Sequence, residues 1–219
     1  MSRALVKLKV LNLLGNSNII SNSSEIKLIL NTLKQIENEN RKLDINGKKC
    51  KFQNKENLLF RLVYRASRDG YTTKEFHKRC DTIGPNIVLV KTKDNIRFGG
   101  FTNLNWAPEK VDEEKKDENT GKKYDPDSFC FSLSTKSIYP HNLNKEESIF
   151  CSKSVGPTFC DNIFGINNNF GIKGGFCNKK DKSCFNGQKI DYEIAGGNKN
   201  FEVEELEVYE IVAFENNLI

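Results

Sequence analysis

The run Ile87-Val88-Leu89-Val90 constrains the fold of this chain more than any other feature. It is apolar throughout and mostly β-branched, so it reads as a strand covered on both faces. Lys93-Asp94-Asn95 then supplies turn chemistry, and Ile96 to Phe101 returns as a partner strand. Within that return, Gly99-Gly100 marks a bulge or a place where another backbone comes close. Further on, Phe129, Phe131 and Leu133 alternate with Cys130, Ser132 and Ser134, a period of two that places the phenylalanines inward. Near the C-terminus Phe201 and Val203 share one parity, and Leu206 and Val208 share the other. A bulge near Glu204-Glu205 would keep both pairs on the core, as would two separate strands meeting at a corner. Strands of this kind, separated by turn signals, point to a mainly β member of the α+β class: a two-sheet sandwich with helices packed outside.

The chain divides near residue 45, into an appendage over 1–45 and a β-rich domain over 46–219. In the appendage, Asn22-Ser23-Ser24-Glu25 offers a helix cap. Ile26, Ile29, Leu33, Ile36, Asn40 and Leu43 then recur at heptad spacing. Two readings stand side by side: a homodimer seam over 26–43, with Asn40 setting the register, and an amphipathic helix docked on its own domain. A second helix is expected over about Asn54 to Arg68, with Leu58, Leu59, Leu62 and Val63 as its apolar face and Asp69-Gly70 ending it. A short third helix follows, capped by Thr72 or Thr73, with Glu75 placed for a capping box and Phe76 and Cys80 on its inner face. Pro108 to Lys123 and Asn167 to Asn186 read as loops.

Composition excludes several function classes. The 219 residues carry 34 basic and 29 acidic side chains, a net charge of +5 that is spread along the chain. The densest charged stretch, 112–118, mixes both signs, whereas a nucleic-acid reader shows a basic stripe. Lys7 and Lys9 interrupt the apolar N-terminus, and nothing reaches the length of a membrane span, so a cytoplasmic protein with no membrane insertion is expected. Seven cysteines, Cys50, Cys80, Cys130, Cys151, Cys160, Cys177 and Cys184, include no CxxC pair and read as free thiols. His77-x-x-Cys80 is the sole tight pair of metal-type residues, where a structural zinc site wants two, so neither metal nor cofactor is expected.

The same His77 and Cys80 are the sharpest candidates for catalysis, as base and nucleophile one helical turn apart. Against this, Cys80 shares the apolar face with Phe76, where a thiol is inert, and the expectation is a core residue. Glu202, Glu204, Glu205 and Glu207 form an acidic run on a strand. It is expected to be the solvated face of an outer strand, with Glu205 and Glu207 as a candidate docking ridge for a basic partner. The glycine pairs match no phosphate-binding fingerprint. Trp106 is a candidate exposed anchor for a partner, or else a plug at one end of the sandwich.

A family resemblance gathers these pieces. Leu62-Val63-Tyr64-Arg65-Ala66-Ser67-Arg68-Asp69-Gly70, then Phe76-His77 and Cys80-Asp81, Gly84-Pro85, Ile87 to Lys91, Phe98-Gly99-Gly100-Phe101-Thr102 and Trp106 resemble the first half of a TLDc domain. Ser128-Phe129-Cys130-Phe131-Ser132-Leu133, Gly156-Pro157-Thr158-Phe159 and Phe201 to Tyr209 resemble its second half. The resemblance runs from about Asn57 to Ala213, with Cys160 standing where the family usually has glycine. It implies a sandwich of two antiparallel sheets and a non-enzymatic role in oxidative-stress defence, with cytosolic subunits of the vacuolar proton pump (V-ATPase) as the implied partner. A scaffolding protein that dimerises through its N-terminal helix and binds another assembly, such as the cytoskeleton, is the alternative, followed by a thiol-dependent enzyme.

Overall fold

The computed structural model describes residues 17–39, 58–108, 120–141, 147–159, 163–177 and 192–213. Asn40 and Leu43 of the heptad stripe, the charged stretch 112–118, and Cys50, Cys160 and Cys184 lie outside the described residues. Two six-stranded sheets form the body. The first runs in the order β1 (Leu58–Arg65), β12 (Val203–Ala213), β2 (Asn86–Thr92), β3 (Arg97–Thr102), β5 (Phe129–Ser132) and β6 (Ser137–Pro140). The second runs β11 (Asn200–Phe201), β10 (Gly175–Phe176), β9 (Phe164–Asn167), β8 (Val155–Phe159), β7 (Ile149–Phe150) and β4 (Lys122–Lys123). Every strand pairing is antiparallel. The helices are α1 (Ser23–Glu39), the single turn α2 (Ala66–Asp69), α3 (Thr73–Cys80) and α4 (Phe170–Lys173).

The first sheet is buried on both faces, as the run from Ile87 to Val90 requires. Val88, Val90, Phe98, Leu206 and Val208 face the second sheet, where they meet Ile149, Phe159, Phe164, Ile166 and Phe201. Phe98 makes edge-on ring contacts with Phe164 and Phe201, each at 5.2 Å between centroids. Ile87, Leu89, Phe101, Phe129, Phe131, Tyr209 and Ile211 face the other way, where α1 and the chain before it cover them with Ile19, Ile20, Ile26, Ile29 and Leu33. The helix is therefore docked on its own sheet.

The glycine pair in β3 is a close approach and not a bulge, since pairing with β2 runs unbroken from Lys91–Arg97 to Asn86–Thr102. A Cβ on Gly100 would stand 2.7 Å from the Phe159 ring, and one on Gly99 would stand 2.1 Å from the Val88 carbonyl oxygen. The bulge expected in β12 is present, as a register shift between Val203 and Glu205 against β2. It brings Val203, Leu206 and Val208 into one cluster, which Phe201 joins from β11 in the second sheet, so the chain also turns the expected corner between two strands.

One expectation is corrected. The segment read as a helix over Asn54 to Arg68 is, over its described part, the strand β1, paired with β12 from Leu58 to Arg65. Leu58 and Phe60 alternate onto the outer cluster, and a register shift between Leu62 and Tyr64 carries Tyr64 into the sandwich. Phe60 and Tyr64, which the helical pattern left out, are buried more deeply than Leu59 and Val63, which it used. The helical part is α2 alone, closed by Gly70 at φ +111°. Phe129 and Phe131 are buried as the alternation required, in the layer beneath α1, while Cys130 points between the sheets. The short helix α3 stands as expected, with the Thr72 hydroxyl accepting from the Glu75 N–H.

Candidate functional site

Glu205 and Glu207 lie on the face of β12 opposite Leu206 and Val208, beside the start of the described chain. They are 5% and 0% exposed, so they present no solvated ridge, and the docking role expected of them is corrected. The Glu207 carboxylate takes hydrogen bonds from Ser17 Oγ at 2.6 Å, the Asn18 N–H at 2.9 Å and Arg65 Nε at 2.8 Å, with Arg65 Nη2 in ion-pair contact at 2.7 Å. The Tyr209 hydroxyl donates to it as well. Burial, reinforced by the negative charge of Glu207, pushes the Tyr209 phenol well above its usual range. Glu205 accepts from the Ser67 N–H and hydroxyl, from the Leu206 N–H and from Asn18 Nδ2. Charge reversal at either position would place a cation in a pocket built for an anion. Glu202 and Glu204 are the members of the run that meet solvent, where they pair with Lys93 and Lys91.

Trp106 is 1% exposed and takes the plug position. Its indole N–H donates to Asn86 Oδ1 at 3.0 Å, and its ring meets Phe76 and Phe159 edge-on. The Asn86 amide nitrogen donates in turn to the carbonyls of Ile83 and Leu104. An anchor has to reach its partner, so the exposed-anchor reading of Trp106 is corrected as well.

The thiol pair does not assemble. Cys80 is 0% exposed among Tyr64, Phe76 and other core residues, and burial pushes its thiol far above the ordinary range. His77 is committed elsewhere: Nδ1 lies 2.6 Å from Asp81 Oδ1, and Nε2 lies 3.0 Å from the carbonyl oxygens of Ser152 and Val155. The histidine thus ties α3 to the turn that leads into β8. Cys130, Cys151 and Cys177 are also buried thiols, and burial holds the Cys177 thiol up at about 12.

A serine–histidine contact that no sequence motif announced lies beside the end of β3. Ser148 Oγ lies 3.3 Å from His141 Nε2. The same hydroxyl also contacts Asp125, taking its N–H at 2.7 Å and lying 2.9 Å from its carbonyl oxygen. The Asp125 carboxylate accepts from Thr102 Oγ1, the Asn103 N–H, Asn103 Nδ2 and the Asp127 N–H. Ser148 and His141 are 0% and 4% exposed, so a nucleophile here would have no route to a substrate. The arrangement fastens the Asp125–Ser128 turn between β4 and β5. Turn chemistry in Asp125-Pro126-Asp127-Ser128 was the available signal for it.

Among the described residues no group of His, Cys, Asp and Glu is arranged to hold a metal ion, and no helix is long and apolar enough to cross a membrane. Comparison with curated proteins returned no match. The TLDc domain family model matches residues 15–212, nearly the whole chain, and it takes in α1 together with both sheets. By that match, and by the sandwich that carries its motifs, this chain belongs to the TLDc domain family.

Proposed function

We propose that this chain is a non-enzymatic interaction module that binds cytosolic subunits of the V-ATPase and regulates the pump during oxidative stress, in the cytoplasm. The observation that carries the reading is the family match over residues 15–212, together with the partner that the TLDc resemblance implies. The geometry adds support of a different kind. Cys80 and Ser148 are sealed in the interior, and His77 is bonded to groups other than Cys80, so neither pair offers an accessible nucleophile. A role exercised through a partner fits such a molecule better than direct chemistry on an oxidant. Dimerisation through residues 26–43 is the weaker reading, because Ile26, Ile29 and Leu33 are already engaged with the chain's own sheet.

Affinity purification of the tagged chain from its native cell, with and without peroxide, tests the reading. Mass spectrometry is expected to recover several cytosolic V-ATPase subunits above a control domain. Absence of those subunits under both conditions, with another assembly enriched, would overturn it.

A further inference from the structure

We propose that Ser17–Glu39 is a releasable strap: it closes over the outer face of the first sheet, and Glu205 and Glu207 form the catch that holds its leading end. The inference goes beyond the pump reading and does not depend on it.

The first argument is the separation of two apolar clusters on one sheet. Ile19, Ile20, Ile26, Ile29 and Leu33 pack only into the outer cluster. The inter-sheet cluster, with Phe159, Phe164, Phe98 and Leu206, takes no side chain from the strap. Lifting the strap therefore leaves the sandwich interior packed. Segments that make their contacts with one face of a core open at lower free energy than the core itself.

The second argument is where the polar attachments lie. Ser17 and Asn18 bond to Glu207 and Glu205. A short way along, Arg97 of β3 bonds to the Ile19 carbonyl, to Ser21 Oγ and to Glu25. Beyond Glu25, among the described side chains of α1, the buried ones are apolar apart from Thr32, whose hydroxyl turns back to the Leu28 carbonyl in its own helix. Among the described residues, the polar contacts from strap to sheet gather at its front end, from Ser17 to Glu25, and apolar side chains carry the packing beyond it.

The third argument is that the catch has partners with the strap on or off. Without Ser17 and Asn18, Glu207 keeps Arg65 and Tyr209, and Glu205 keeps both Ser67 donors and the Leu206 N–H. Release does not strand a bare buried carboxylate, and that is what a two-state element needs. What release uncovers is the face formed by Phe101, Phe129, Phe131, Ile87 and Leu89.

Hydrogen exchange by mass spectrometry on the full chain tests this, with Ser17→Asp as the releasing variant. That change sets a second carboxylate beside Glu207, where a hydroxyl now donates at 2.6 Å. In the unaltered protein, amides of α1 are expected to exchange at least about tenfold faster than those of β2 and β12. Ser17→Asp is expected to speed residues 17–36 by about tenfold or more, with β8 and β9 exchange and Trp106 emission unchanged. Ser17→Ala, which removes only the hydroxyl, gives a milder reading of the same kind if the aspartate variant does not fold. Equal exchange of α1 and the central strands, or a variant that speeds every segment alike or none, would overturn the strap. Neither result bears on pump capture, so the two proposals fail separately.

Discussion

Glu207 has no solvent exposure and, among the described residues, one cationic partner, Arg65, whose side chain is 18% exposed. Removing one member of such a pair leaves the other charge buried and uncompensated. Arg65→Ala should therefore cost about 3–5 kcal/mol in urea unfolding. A Glu207–Arg65 pair that served only as a docking ridge would show no such loss. Asp69 offers a pH-dependent counterpart. Burial alone would raise its carboxyl, but hydrogen bonds from the Arg68 side chain and the Arg65 N–H, with the charges of Arg68 and Arg79, outweigh it and hold the group below its usual range. A depressed carboxyl adds stability above its unfolded pKa of about 3.9, and that stability is lost as pH falls through the lower folded value. Asp69→Asn should thus flatten the acid limb of the stability curve, with little further change on acidification across that window. At this scale the sequence was least legible. A buried glutamate and an exposed one look alike in a strand, and the contacts that bury Glu205 and Glu207 come from Ser17, Asn18, Arg65 and Ser67, far away in sequence.

At the scale of elements, legibility followed how local the signal was. The α3 cap, the β2–β3 turn and the bulge in β12 each rest on a few adjacent residues, and each is present. β1 was misread because its leucines also fit a helical stripe; pairing with β12 along its length decides the matter, a tertiary term that overrides local preference. The alternation in β5 revealed a strand but not which of two cores its phenylalanines enter, since a sheet covered on both faces has two insides. Packing across β3 carries a direct test. Gly100→Ala would press a methyl group into the Phe159 ring, 2.7 Å away. Because that ring sits in the inter-sheet core, the change should cost about 1–3 kcal/mol by thermal or urea unfolding. A neutral substitution would mean that the two sheets are not pressed together at this point.

Across the described residues, the molecule is built on one sheet with two coverings: a second sheet on one side and a helix on the other. Trp106 belongs to the first of these, and that assigns it a role which can be separated from partner binding. It is the sole tryptophan of the chain, it is sealed between Phe76 and Phe159, and its indole N–H is bonded to Asn86 Oδ1. Trp106→Phe keeps an aromatic ring in the slot but leaves the Asn86 oxygen buried without its donor. The expected loss is about 1–3 kcal/mol, the usual cost of one orphaned buried acceptor. Capture of the proposed partner, measured well below the melting temperature, should be unchanged, because a residue that never meets solvent cannot lend contact energy to a docked partner. A binding hot spot gives the opposite pattern, with capture lost and stability retained. Measuring both quantities on this one variant decides whether Trp106 holds the sandwich together or reaches out of it, and the geometry commits to the first.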